Sequence, residues 1–257
     1  MKIWSFVNQN PRTGKTQAVS TLAELLINRG DRVLMVDLDP QGTLTSGMEL
    51  NPTQTSAGAY TLFRNAIEKP VSQTMPQFYA CRHPKLSLLP ASTAMAAYDD
   101  GKRLGGGLGV VLKTFLESVS NRFDYVLVDS APVIGMLMVN ALAAADAVVV
   151  PAPTEAATLS SVEPMLQMMT MINKSRAQPA HMLLVPNRFD RRSRASIQAL
   201  RAMRQQYGQQ IWRSAIPNDP LLRQYGKPNG PAKPTRGVLE MRRLLEDLDA
   251  GAGRFNS

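Results

Sequence analysis

Three short runs of almost uninterrupted apolar residues constrain this chain most: RVLMVDLD (32–39), YVLVDS (125–130) and AVVV (147–150). A strand with one wet face alternates apolar and polar side chains. Runs that do not alternate belong to strands covered on both faces, as in a sheet held between helices. Helical patterns stand between them. Over 14–29, Val19, Leu22, Leu25 and Leu26 recur at helical spacing, and Gly30 sits where a left-handed C-terminal cap belongs. The pattern predicts strands at 3–7, 32–39, 86–89, 125–129, 147–150, 181–185 and 210–216. It predicts helices near 59–68, 108–119, 136–144, 158–173, 194–207 and 236–248, with the rest of 43–85 irregular. Such alternation implies right-handed crossovers, so the expected fold class is α/β: a doubly wound, mostly parallel sheet with helices on both faces. With 257 residues and 44% apolar content the chain can bury the core of a single domain, 1–257. No linker divides it; KPNGPAKPTRG (227–237) lies too near the C-terminus and reads as a surface loop before the last helix.

The single cysteine, Cys81, excludes a disulfide framework or thiolate cluster within one chain and fits a reducing compartment. The apolar run after Lys2 ends within seven residues, too short for a signal peptide, and no run has membrane-spanning length. A cytoplasmic protein is expected. His83 and His181 stand alone, without metal-ligand company, and read as structural.

The chemistry begins where the first strand meets the first helix. TGKT (13–16) opens that helix, so backbone N–H groups and the helix dipole converge on one point, as phosphate binding requires. Lys15 would reach the β- and γ-phosphates, and the Thr16 hydroxyl would ligate Mg²⁺. VDLDPQG (36–42) ends the second strand in Asp37 and Asp39, and YVLVDSAP (125–132) ends another in Asp129. Each Asp alone suits a turn or helix cap. Three on the carboxyl edge of one open sheet, where such folds bind ligands, point to a metal–nucleotide site.

In this setting VNQNPRTGKTQAVSTLAELLINRGDRVLMVDLDPQGTLTSGM (7–48) resembles the ParA branch of the ParA/MinD P-loop ATPases. The similarity continues through LSLLPAS (86–92), 123–162, NRFDRRSR (187–194) and IPNDPLLRQYGKP (216–228), and so covers most of the chain. The resemblance implies ATP and Mg²⁺ as cofactors. It implies a nucleotide loop of Asn10, Pro11, Arg12, Thr13, Gly14, Lys15, Thr16 and Gln17, with Asn187, Arg188, Pro217 and Asp219 on the adenine side. Thr16, Asp37 and Asp129 would serve the metal, Lys15 the phosphates, and Asp39 the attacking water. The family further implies an ATP-bound sandwich homodimer that binds double-stranded DNA non-specifically on the nucleoid, releases it on hydrolysis, and works with an adaptor or centromere-binding partner. The cargo would be a plasmid, a chromosome or a protein organelle such as the carboxysome.

One segment departs from the family. Its loop usually reads KGGxGKT; here it reads NPRTGKT. Asn10 replaces the lysine that crosses the dimer to the other subunit's phosphates, and Pro11 and Arg12 replace two glycines. Pro11 removes a donor and fixes φ. Asn10 keeps hydrogen bonding but lacks the positive charge that matters where phosphate charge develops. Three readings follow: Arg12 is the substitute, with a guanidinium suited to phosphate; Arg188 or Arg191 is; or turnover is slow or absent.

The formal charge is +9 and the isoelectric point about 9.9. Eleven Lys/Arg against two acids fall between 188 and 236. Arg191, Arg192, Arg194, Arg201, Arg204, Arg213 and Arg223 are the candidate DNA contacts, with Arg194, Arg201 and Arg204 off the stripe of Ile197, Leu200, Met203 and Tyr207. Such a face gives salt-sensitive, sequence-independent binding, and no base-reading motif accompanies it. Three rivals remain: a non-hydrolysing nucleotide-dependent DNA-binding scaffold, a MinD-like membrane-associated ATPase, and an amidoligase on a related fold. The membrane rival needs a basic amphipathic terminal helix, whereas GVLEMRRLLEDLDAGAG (237–253) mixes acids with its arginines. The Met-rich MLQMMTMI (165–172) reads as buried helix.

Overall fold

The computed structural model describes residues 1–55, 57–68, 70–71, 74, 76–98, 108–155, 159–225 and 233–251, without the side chains of 159–161. Its strands are β1 (Lys2–Phe6), β2 (Val33–Leu38), β3 (Tyr79–Ala80), β4 (Leu86–Leu89), β5 (Tyr125–Ser130), β6 (Ala147–Pro153) and β7 (His181–Asn187). They form one sheet in the order β3-β4-β2-β5-β1-β6-β7. All neighbours run parallel except the short β3, which pairs antiparallel with β4. The helices are α1 (Lys15–Arg29), α2 (Thr43–Gly47), α3 (Ala59–Glu68), α4 (Val111–Ser118), α5 (Met136–Ala144), α6 (Leu159–Lys174), α7 (Arg194–Tyr207) and α8 (Arg236–Ala250).

The unbroken apolar strands do what their composition requires. Every residue of β2 is buried. Leu34, Val36 and Leu38 pack with Phe63 of α3, Phe115 of α4 and Leu142 of α5. Val33 and Met35 face the other way, against Leu22 and Leu26 of α1 and Leu244 of α8. At about 1.5–3 kcal/mol per buried large apolar side chain, these two layers fix the register of the central strands. Register in turn fixes chemistry: β2 and β5 pair with Asp37 opposite Asp129. Gly30 ends α1 at φ 105°, donating its amide to Leu26 and Ile27 oxygens.

The structure differs from the sequence pattern in several places. The strand expected at 210–216 is absent. Ile211 makes a single bridge to Leu184 and Pro217 one to Phe189, and the backbone turns away between them. Trp212 and Ile216 donate amides to Leu184 and Pro186 oxygens, so the segment is pinned to the sheet edge at intervals rather than zipped to it. The helix expected at 108–119 starts with a 3₁₀ turn over Leu108–Val110. On α7, Ser196 is fully buried where Ile197 was expected, because its hydroxyl bonds Thr154 Oγ1 at 2.6 Å and accepts the Asp190 amide. In α6, Met165 and Met169 are buried, while Met171 is 71% exposed. Of the expected loop at 227–237, residues 227–232 lie outside the described residues.

Asn140 in α5 is completely buried. Its amide donates to the Leu108 and Met136 oxygens and accepts the Leu112 amide, tying the 3₁₀ turn and the start of α4 to α5. Asn140→Ala strands at least two of these backbone groups. It should lower unfolding free energy by about 2–3 kcal/mol, read as a lower urea midpoint at unchanged m-value.

Candidate nucleotide site

Three chain segments leave the carboxyl edge of the central strands and meet at the N-terminus of α1. The loop after β1 is held from below by Asn8, fully buried, whose side chain donates to Pro151 O at 2.9 Å and accepts the Asn10 amide at 2.8 Å. Lys15 folds back over the loop, its Nζ 3.2 Å from Asn8 O and 3.4 Å from Asn10 O. Burial holds the Lys15 ammonium below its usual pKa, against the attraction of Asp129 and Asp39. Thr13 is buried and its Oγ1 has no partner.

Gly14 sits at φ 100°, and an added Cβ would come within 2.3 Å of Asn187 Nδ2. Asn187, at the end of β7, donates to Thr13 O at 2.8 Å and accepts the Arg188 amide at 2.8 Å. Both φ and space therefore demand glycine here. Arg12 also adopts a left-handed conformation, at φ 59°, which L side chains adopt at a cost of about 1 kcal/mol. Pro11 and Arg12 are both exposed at the loop tip, and Asn10 is half-buried.

Under the loop, Thr16 donates its hydroxyl to Asp129 Oδ2 at 2.6 Å. Asp129 Oδ1 is buried without a partner. Asp37 is saturated: Oδ2 accepts the Thr45 amide (2.9 Å) and hydroxyl (2.7 Å), and Oδ1 accepts the Asp39 amide (3.0 Å). Asp39 is half-buried, with Oδ1 accepting the Gln41 amide. Burial raises all three carboxyl pKa values. Asp37 is pushed up to about 7 against its hydrogen bonds. Asp129 lies well above its usual range because of burial and then the neighbouring Asp37. Asp39 is raised by burial against the Gln41 amide and Lys15. An unpartnered buried carboxylate oxygen beside a threonine hydroxyl is a cation's place. Among the described residues no three His, Cys, Asp or Glu side chains form a cage, as suits Mg²⁺, which takes few protein ligands and completes its shell with phosphate and water. The donor set fits ATP and Mg²⁺.

Beside the loop a cleft partly open to solvent runs between Gly14, Gln17, Asn187, Arg188, Pro217 and Asp219, with Met241 and Leu244 as apolar wall. Gln17 Nε2 donates to Leu222 O at 2.8 Å and closes the cleft against α1. Asp219 Oδ1 accepts the Leu221 amide and Oδ2 the Gly237 amide, so its carboxylate clamps the cleft loop to α8. The structure thus brings together the expected loop and cleft residues. Thr45, Asn8 and Leu222 complete the site; they lie within segments that resemble the ParA branch, but nothing in their residue types singles them out.

Residues 1–182 match the family model described as an AAA domain (AAA_31). The chain is 28% identical over 237 residues to the chromosome partitioning protein ParA of Caulobacter vibrioides, covering 89% of this chain and 86% of the relative. The chain belongs to this AAA-domain family, in the ParA branch of the ParA/MinD P-loop ATPases. The fold of these ATPases is also that of cobyrinic acid a,c-diamide synthase from Mycobacterium smegmatis, solved with an ATP analog and magnesium. That likeness has TM-score 0.80 and 23% identity, over 96% of this chain and 94% of that one. An ATP complex of a variant of Cyanothece McdA is similar too, with TM-score 0.75 and 23% identity, over 87% and 86% of the two chains.

Of the arginines on the basic face of this ParA-branch chain, Arg191, Arg192, Arg194, Arg201, Arg204, Arg213 and Arg223 are all exposed. Among the described residues none of them forms an ion pair. Arg204 donates to Arg213 O at 2.7 Å, which joins α7 to the edge segment. Arg223 stands apart from the others, at the nucleotide cleft. The apolar stripe of α8 (Val238, Met241, Leu244, Leu245 and Leu248) is buried, which leaves no free apolar face of that length for a membrane surface. No helix among the described residues is long and apolar enough to cross a membrane.

Gly14→Ala should abolish nucleotide binding while leaving the far-UV circular dichroism of the fold in place; nucleotide affinity near the wild-type value would contradict the cradle. The carboxylates give a pH signature. Acids whose folded-state pKa lies above the unfolded value take up protons on folding, so their burial costs more as pH rises through that window. For Asp37 the window runs from its usual 3.8 to about 7. Removing one of the two opposed carboxylates should therefore help most at high pH. Asp129→Asn is expected to stabilise the nucleotide-free protein more at pH 8 than at pH 5 in urea unfolding.

Proposed function

We propose that this chain is an ATP-switched positioning ATPase. ATP with Mg²⁺ seats in the loop and cleft, two copies close face to face over the nucleotides, and the pair holds duplex DNA without sequence preference. Hydrolysis, slow alone and stimulated by an adaptor partner, releases it. In this reading Lys15 holds the β- and γ-phosphates, Thr16 and Asp129 hold Mg²⁺, and Asp37 supports that site. Asp39 orients the water, and Asn187 with the Pro217–Asp219 loop holds the adenine. Arg12, exposed at the tip, supplies the cation that Asn10 lacks. The protein would sit on the nucleoid and segregate a plasmid or chromosome or space a protein organelle. The chromosome-partitioning role that names the Caulobacter relative supports this class.

The observation that carries the reading is one of placement. The Thr16–Asp129 pair, with its unpartnered buried oxygen, lies on the same sheet edge from which Asn187 leads through Arg188 into the unpaired arginines of α7. A second reading is favoured by the loop itself: neutral Asn10, donor-less Pro11 and left-handed Arg12 suit a nucleotide-gated DNA scaffold with little turnover.

Binding to an unrelated duplex by fluorescence anisotropy, with ATP–Mg²⁺, ADP or no nucleotide, tests both. Tight binding only with ATP, lost in Lys15→Ala, is expected, and the pair Arg194→Ala and Arg201→Ala should reduce the slope of log K against log[salt] by roughly 2. Equal binding in all three nucleotide states would sink ATP gating. DNA-stimulated phosphate release would eliminate the scaffold reading.

A further inference from the structure

The segment after β2 is closed by a buried ring of hydrogen bonds built around a residue outside any nucleotide-binding motif. Thr45 in α2 is completely buried, as is Asp37 at the end of β2. Thr45 gives both its amide and its hydroxyl to one oxygen of Asp37, at 2.9 and 2.7 Å. The other Asp37 oxygen accepts the Asp39 amide at 3.0 Å. The Thr45 hydroxyl oxygen accepts the Ala91 amide at 2.9 Å, from the chain leaving β4. A single hydroxyl therefore ties the ends of two neighbouring strands together and closes the loop 37–45 on itself.

Asp39 hangs from this ring by its own amide, and its carboxylate turns back onto the Gln41 amide. Gly42 caps α2 in a left-handed conformation at φ 60°, with no side-chain cap bond, and donates its amide to the Asp39 oxygen at 2.8 Å. An added Cβ on Gly42 would meet Pro52 at 2.3 Å, so the loop is pressed against its neighbour and has one path. The Asp37 carboxylate accepts three hydrogen bonds and is spent on holding backbone rather than reaching outward.

We infer that Thr45 is a positioning residue for Asp39: through Asp37 it sets the backbone from which Asp39 presents its carboxylate to the water at the γ-phosphate. Its own side-chain bonds go to Asp37 and Ala91. The inference rests on the proposed hydrolysis, and it assigns Asp37 chiefly to the same ring.

Thr45→Val keeps the backbone donor and the shape but removes the hydroxyl, breaking the links to Asp37 and Ala91; Thr45→Ser keeps them. Turnover at saturating ATP should fall about tenfold or more in Thr45→Val, since small misplacements of reacting groups have large rate effects. ATP affinity should stay within about twofold, because the loop and cleft are untouched. Thr45→Ser should restore turnover. Wild-type turnover in Thr45→Val, an equal loss of ATP affinity, or failure of serine to rescue would each overturn the inference. Amide hydrogen exchange at Asp39 reads the ring without activity: about tenfold faster exchange in Thr45→Val, restored by serine, is expected. If the wild-type protein hydrolyses no ATP, the proposed reaction fails while this exchange still decides the ring, and unchanged protection at Asp39 would remove it. Thr45→Ala, which leaves room for water, serves if the valine variant does not fold.

Discussion

Two carboxylates buried side by side on adjacent strands set the terms for the rest of this site. Asp37 and Asp129 are register partners, both with under 2% exposure. Without compensation such a pair resists ionisation, through burial and then mutual repulsion. The compensations come from specific directions. Asp37 is answered by backbone and hydroxyl donors within its own loop, whereas Asp129 receives one hydroxyl and keeps one oxygen free. The asymmetry separates them: one carboxylate is bonded within its own loop, and the other keeps an oxygen that could take a cation. Lys15 stands nearby with its own charge disfavoured by burial. Burial thus disfavours charge of both signs at this edge, and a bound metal with phosphates would relieve both.

The altered loop acts on this arrangement from outside. Gly14 remains because Asn187 occupies the space a side chain would need. Arg12 stands where the family carries a glycine and itself adopts a left-handed backbone. The chain thus carries different chemistry at the loop tip, at a modest conformational cost. In the proposed reading the positive charge sits two residues along from Asn10, at the exposed tip.

Much of this was legible in the sequence because the informative signals are local. An apolar run ending in Asp marks a strand end, and TGKT marks a helix start; those signals located β2, β5, α1 and three carboxylates. What was not legible depends on contacts between distant residues. Thr45 meets Ala91, Gln17 meets Leu222, and Asn187 meets Thr13, partners separated by 46, 205 and 174 positions. No periodicity records such pairs. The 210–216 run misled for a related reason. Its composition is that of a strand, but it bonds to β7 only at intervals, and the bends at Arg213 and Ser214 are set by Arg204, which takes the Arg213 oxygen, and Glu240, which takes the Ser214 hydroxyl.

The same long-range bonds connect the nucleotide edge to the basic face. Asn187 holds the loop carbonyl of Thr13 with one end of its amide and the Arg188 amide with the other. Arg188 takes a left-handed turn at φ 53°, and its carbonyl lies at the limit of hydrogen-bond reach from Thr154. Thr154 in turn bonds Ser196 in the first turn of α7, whose hydroxyl also takes the Asp190 amide. A shift of the loop on nucleotide binding must therefore be absorbed by Asn187 or passed to the root of α7. The buried Thr154–Ser196 pair makes a rigid root the favoured outcome, because breaking it would leave hydroxyls without partners. On that account the arginines of α7 would move as a body with the helix, as the proposed ATP-gated polyanion contact would require.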